Sequence, residues 1–288
     1  MKIALVGCGS IGMRHHKILS KIIDDPIFTM CDIRDGYVNV DDVKDEEFDI
    51  VCVCTHSSNH IEVASKFKNS KSFFIEKPLD ANIEIIEKNL NFFRTKKTMV
   101  ACNLFFSKHM NEIKKHLPNV LFATIKYHSF LPKWRDNYYD LYSCFKSLGG
   151  GILFDDIHEV QYPIQILGHP NKITLLKRRL AEYTHDTEDY CVIILHYDDK
   201  IINIEMSYLC NDKQRTCDMT LRNGSRIIID FQGNEELPNM STVSDLDKAY
   251  EKQWKYFLNT SKPLNNYNDA YKLLKALHDA EIEEVTNK

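Results

Sequence analysis

An apolar run that stops at a glycine turn opens the chain: KIALVG leads into GCGSIG, with Gly7, Gly9 and Gly12 at G-x-G-x-x-G spacing. A continuous apolar run of this length reads as a strand buried on both faces. The first glycine makes the turn, the second lets backbone approach a pyrophosphate, and the third brings helix close to strand. Ser10 and Ile11 complete the turn, where the amides of a helix N-terminus face the phosphates. Asp32 closes the next apolar run, FTMCD, where a carboxylate hydrogen-bonds the ribose hydroxyls of NAD. It repels the extra phosphate of NADP, and Arg34 partly offsets that, so NAD is expected and NADP stays possible.

Strands and helices then alternate. FDIVCVCT, SFFIE and TMVACNL are further strand segments, and helices are expected from Gly12 to about Ile23, Asn59 to Phe67 and Ile83 to Phe93. Such alternation implies a doubly wound parallel sheet with helices on both faces, a Rossmann domain over residues 1–117. From residue 118 the pattern changes. VLFATIKYHS, DYCVIILHY, KIINIEMSYL, TCDMTLRN and SRIIIDF alternate, and YDDK and RNGS between them carry hairpin-turn chemistry. Residues 118–288 therefore read as an α+β domain with a large, mainly antiparallel sheet, returning to helical periodicity from Leu246 to Val285. The fold class is α/β with this second domain attached.

Composition excludes several classes of function. A net charge of −4 argues against a nucleic-acid surface. No apolar run is long enough to span a membrane, and MKIALVG is too short for a signal peptide. Nine cysteines, an odd number without a paired framework, read as reduced thiols, so the expected location is cytoplasmic. Cys52 and Cys54, on one side of a strand, and His56 and His60, four apart, each lack further ligands in view, so no metal is expected.

Two later stretches carry chemistry. FFIEKPL puts Glu76 and Lys77 at the carboxyl end of a parallel strand, where ligands bind in such sheets. GGGILFDDIHE puts Asp155 and His158 three apart, on one face if the stretch is a single helix, with Asp156 turned away as a cap or supporting group. A carboxylate beside an imidazole orients it and favours its charged form.

With GCGSIGMRH, Thr55 and His60 of T-x-x-x-x-H, EKP at Glu76–Pro78, CNLFF at 102–106, LPKWR at 131–135, GGGILFDDIHE and YEKQWKYFL at 250–258, the chain resembles the Gfo/Idh/MocA oxidoreductases. The resemblance runs nearly end to end. It implies that Lys77 lies beside the nicotinamide and the substrate and moves the proton of the oxidised hydroxyl. Asp155 and His158 complete the catalytic set, and the glycines before them allow close approach to the bound molecules. Thr55, His56, His60, Glu76 and Asn103 join the cofactor-binding residues. Trp134, Arg135 and Tyr138 are candidates for an aromatic and cationic wall against a polar ring, together with Lys77, Asp155 and His158.

Departures from the family pattern fall on the substrate side. His56 stands where proline is usual, Phe105 where arginine is, and Gln161 where aspartate is. The Asp-to-His spacing is three rather than four, and the WR loop is about two residues shorter. The expected activity is hydride transfer between nicotinamide and a secondary alcohol or ketone of a sugar or sugar-derived compound. The LPxW…GGGxxxD arrangement is similar to members from surface-glycan pathways. Two alternatives are a non-catalytic dinucleotide-binding regulator or scaffold, and an elimination or glycosidase-type enzyme that recycles bound NAD. A homo-oligomer, dimer or tetramer, is expected through the open face of the second sheet, which otherwise exposes Ile and Met.

Overall fold

Five short strands, apolar over most of their length, make one parallel sheet in the computed structural model, which describes residues 1–231 and 243–282. They are β1 (Lys2–Val6), β2 (Ile27–Cys31), β3 (Ile50–Val53), β4 (Ser72–Ile75) and β5 (Lys97–Val100), in the order β2-β1-β3-β4-β5. Every residue of β3 and β4 is buried, as expected of strands covered on both faces. Each buried Ile, Val or Phe there contributes roughly 1.5–3 kcal/mol. Helices α1 (Ser10–Ile22), α2 (Val40–Val43), α3 (His60–Ala64) and α4 (Ile83–Arg94) make the crossovers. Asn82 starts α4 by accepting the Glu84 and Ile85 amides on its side-chain oxygen. Because β1 lies between β2 and β3, the chain leaves β1 and β3 in opposite directions. In sheets of this order ligands bind at the carboxyl ends of those two strands.

Helix α5 (Met110–His116) precedes a second sheet built on β6 (Val120–Phe130). The chain then passes through α6 (Ile152–Asp155) and α7 (His158–Leu167) to β7 (Lys172–Arg178), β8 (Tyr190–His196), β9 (Ile201–Ser207), β10 (Leu209–Leu221) and β11 (Arg226–Asp230). The sheet order is β11-β10-β6-β9-β8-β7-β12, where β12 is the short pairing of Glu281–Ile282 beside β7. Pairing is antiparallel except between β6 and β9 and between β12 and β7. Alternation decides which side is inward: Ile229, Cys217, Ile125, Ile204, Ile193 and Leu175 form one buried row across six strands. The RNGS turn before β11 has Gly224 at φ 80°, as its Asn-Gly pair predicts. Strand β7 was the one least visible in the pattern, since only Ile173 and Leu175 are buried between charged ends.

The C-terminal return consists of α8 (Val243–Asn259) and α9 (Tyr267–His278). The last residues of the expected helical tail, 283–285, lie outside the described residues. Two compact units result: Met1–Phe106 with Asp247–Lys272, and Ser107–Leu246 with Leu273–Lys288. The sequence break at 117 thus differs from the spatial one, for a physical reason. Trp254 of α8 stacks on Phe74 of β4 at 4.0 Å, and Tyr267 of α9 stacks on Phe93 of α4 at 4.6 Å. These large aromatic burials tie the return to the first unit. Among the described residues no helix is long and apolar enough to cross a membrane.

Candidate functional site

The three glycines of the first turn are required for different reasons. A Cβ on Gly7, at φ 89°, would lie 2.5 Å from the Cys54 carbonyl oxygen, and one on Gly12 would lie 2.0 Å from the Gly7 carbonyl oxygen. Both glycines are therefore demanded by the protein's own packing. A Cβ on Gly9 meets nothing within 4 Å. Gly9 precedes α1 as its N-cap, makes no side-chain cap bond there, and is followed by a first turn that holds no acidic residue. The exposed Ser10 and half-exposed Ile11 begin that turn. A 13-residue helix with an open N-terminus and a glycine facing empty space fits a pyrophosphate.

Asp32 lies directly after β2 and reaches back to this turn. Its Oδ2 accepts the Cys8 amide at 2.7 Å, and Arg34 grips both carboxylate oxygens at 2.9 and 2.8 Å. The Arg34 hydrogen bonds, helped by the Cys8 and Arg34 amides and opposed by partial burial, hold the Asp32 carboxyl at about 2. It is an anion that accepts hydrogen bonds at any physiological pH. Asp32→Ala should weaken NAD by about tenfold or more and narrow the gap between NAD and NADP, read by calorimetric titration of each.

The other expected binding residues follow the ends of β3, β4 and β5. Thr55 is half-exposed, and its hydroxyl oxygen is buried without a partner among the described residues. His56 is exposed. His60 is buried instead, with Nδ1 2.8 Å from the Pro78 carbonyl and Nε2 3.1 Å from the Thr55 carbonyl. Burial pushes its imidazole down, so one N–H is present, and the shorter contact to Pro78 has first claim on it. His60 thus braces the loops after β3 and β4 against each other. Glu76 is buried too, accepting His15 Nε2–H at 2.8 Å and the Lys77 amide at 3.2 Å. Burial works to raise its carboxyl, but the His15 hydrogen bond leads the influences that bring it below its ordinary value. Lys77 is half-exposed beyond it, and Asn103 is buried at the start of a short 3-10 turn, Asn103–Phe106.

In the second unit the glycine stretch serves the protein's own packing. A Cβ on Gly150 would lie 2.2 Å from the Tyr142 carbonyl oxygen, and one on Gly151, at φ 110°, 2.4 Å from the Glu188 carboxylate. What these glycines approach is the chain's own Tyr142, Ser143 and Glu188, a different neighbour from the bound molecules that the resemblance implies. Asp155 and His158 do not share one helix. Asp155 ends α6, Asp156 breaks the helix at φ −116°, ψ 36°, and His158 begins α7. Two tyrosines hold Asp155: the Tyr142 hydroxyl donates to Oδ1, and the Tyr208 hydroxyl donates to Oδ2 at 2.5 Å. Burial, then the Asp155 charge, push the Tyr208 hydroxyl far above its ordinary value, so it remains a donor. His158 Nδ1 lies 3.2 Å from Gln161 Oε1, one turn along α7. With Nδ1 donating to that amide oxygen, Nε2 is the basic nitrogen.

Asp156 is a structural anion. Arg215 of β10 binds it at 2.5 Å and Glu159 at 2.6 Å, and lies 4.2 Å from the centre of the Tyr127 ring. Glu159 is fully buried. Arg215→Met should cost about 3 kcal/mol or more in urea unfolding, because it leaves two carboxylates buried without their partner. Trp134, about a third exposed, packs edge-on against Tyr208 at 5.3 Å. Arg135 is exposed and Tyr138 half-buried nearby in the chain. Tyr142, Tyr208 and Arg215 carry no local motif, and nothing in the sequence singled them out. His15, Cys52 and Cys54 place donor atoms within 4.8 Å of one another. Both His15 nitrogens are already committed, to Trp254 and Glu76, and burial keeps the Cys54 thiol protonated.

Residues 29–104 match the model of the Gfo/Idh/MocA oxidoreductase family, NAD-binding Rossmann fold. Solved structures extend the likeness over both units. Myo-inositol 2-dehydrogenase from Lactobacillus plantarum superposes with TM-score 0.79 at 16% identity, covering 96% of this chain and 94% of its own. The chain has the Gfo/Idh/MocA fold. The WlbA dehydrogenase from Bordetella pertussis, in complex with NADH and UDP-GlcNAcA, gives TM-score 0.77 at 15% identity over 96% and 93% of the chains. GenD2 from gentamicin A biosynthesis, in complex with NAD, gives 0.78 at 18% over 97% and 93%. No curated protein matches by sequence. The Gfo/Idh/MocA match begins after the glycine turn and includes Asp32, Thr55, Lys77 and Asn103, so the cofactor of this NAD-binding oxidoreductase fold is NAD.

Proposed function

We propose that the protein is an NAD-dependent dehydrogenase or reductase acting on a secondary alcohol or ketone of a sugar-like ring. One observation carries the reading: Lys77 leaves β4 at the same edge of the parallel sheet as Gly9, Ser10 and Asp32. NAD, when bound, would accept the hydride in the oxidising direction and, as NADH, donate it in the reducing one. Gly9, Ser10, Ile11 and the open helix end hold the pyrophosphate, and Asp32 holds the ribose diol. Lys77 takes or returns the proton at the reacting oxygen. His158 is the acid-base group of the second unit, its tautomer set by Gln161. Asp155 is held by its two tyrosines, and Trp134 offers an aromatic face to a ring. The dehydrogenases above, one of them bound to a nucleotide sugar, support this substrate class.

The experiment is NAD and NADP turnover across cyclic polyols, free sugars and nucleotide sugars, with Lys77→Ala beside the wild type. A dinucleotide-binding regulator is the second reading, favoured by the engagement of both Asp155 and Asp156 in internal bonds. It requires NAD binding without turnover of any compound. The chain acts in the cytoplasm and pairs with itself through the outward face of the second sheet, where Phe122 and Ile228 are exposed. Light scattering should give a dimer or tetramer, and Phe122→Lys should shift it toward monomer.

A further inference from the structure

His15 is wholly buried in α1, although a histidine one turn past a glycine loop has no intrinsic reason to be. Three rings enclose it, those of Phe74, Tyr250 and Trp254, with centroids 5.3, 5.4 and 5.5 Å away. Its hydrogen bonds run in one direction. The Trp254 indole N–H can only donate, and it donates to His15 Nδ1 at 2.8 Å. The imidazole proton is therefore on Nε2, which donates to Glu76 Oε1 at 2.8 Å. The other oxygen of Glu76 accepts the Lys77 amide at 3.2 Å.

Such a line is costly to bury, and three apolar groups of the same volume would pack at least as stably. What the polar line adds is position. It fixes the ring flip of His15, the rotamer of Glu76 and, through one amide, the point where the backbone releases the Lys77 side chain. We propose that Trp254, His15 and Glu76 are positioning residues for Lys77, through which helix α8 sets the placement of the lysine after β4. The importance of that placement rests on the dehydrogenase reading above; the placement itself does not.

The test uses the full chain and needs no substrate. Trace acetic anhydride labels lysines, and peptide mass spectrometry gives the rate at Lys77 relative to Lys88 of α4. Trp254→Phe keeps an aromatic stack on Phe74 and removes only the indole donor. His15→Leu removes both links, and His15→Gln keeps a donor able to reach toward Glu76. Trp254→Phe and His15→Leu should change the Lys77 to Lys88 ratio by about tenfold, with NADH affinity within about threefold of wild type. His15→Gln should recover most of the change, which a filler of space would not do. An unchanged ratio in Trp254→Phe that still binds NADH overturns the proposal, even if His15→Leu fails to fold. Protection of Lys77 by NADH in the wild type is a separate readout. Its failure would count against the dehydrogenase reading and leave the positioning line standing.

Discussion

Gly9→Val should abolish NAD binding and leave the melting temperature close to that of the wild type. The two effects separate because Gly9 has φ −72° and ψ −166°, a backbone conformation open to any residue, and its Cβ would enter empty space. An exposed substitution of this kind shifts stability by about 0.5 kcal/mol or less. The same side chain covers the amides at the start of α1, where the pyrophosphate must approach. Gly12→Ala provides the contrast. Its methyl would lie 2.0 Å from the Gly7 carbonyl oxygen, so strand and helix must part, and folding is lost with binding. Calorimetric titration of NAD and thermal melts of both variants read the difference. If Gly9→Val binds NAD as the wild type does, the turn is not the cofactor site.

Lys77→Ala should lower turnover by about 10² to 10⁴-fold while changing NAD affinity little, as expected for an acid-base group removed from the reacting oxygen. Lys77→Arg should not restore activity, because a guanidinium keeps its proton at any working pH. The backbone of the loop survives both changes, since the Glu76 contact uses the Lys77 amide rather than its side chain. Steady-state rates and cofactor titration on the same preparations separate chemistry from binding. Equal loss of turnover and of NAD affinity would make Lys77 a cofactor anchor instead.

The first unit was legible where function depends on local pattern. A strand, three glycines and an acid at the end of the next strand lie within 32 residues, and each has a steric or electrostatic reason visible in a short window. The second unit was less so. Placing Asp155 and His158 on one helix face assumed one continuous helix, and the chain instead breaks at Asp156 between α6 and α7. The groups that actually hold Asp155 are Tyr142 and Tyr208, 13 and 53 residues away in sequence. His15 and Trp254 are 239 residues apart, and no periodicity links a helix near the start of the chain to one near its end. The glycines at 150 and 151 were legible as points of close approach, but what they approach depends on the fold of Glu188 and Tyr142 around them.

The central claim is that the chain uses NAD to oxidise or reduce a ring carbon. The most direct measurement is transfer of deuterium from NADH labelled at the reactive carbon into a ketone of the cyclic-polyol or nucleotide-sugar class, followed by mass spectrometry of the product. The account predicts one deuterium on the new carbinol carbon with wild-type protein, appearing about 10² to 10⁴-fold more slowly with Lys77→Ala. A protein that binds NADH tightly, yet transfers no label to any compound of either class, would contradict it.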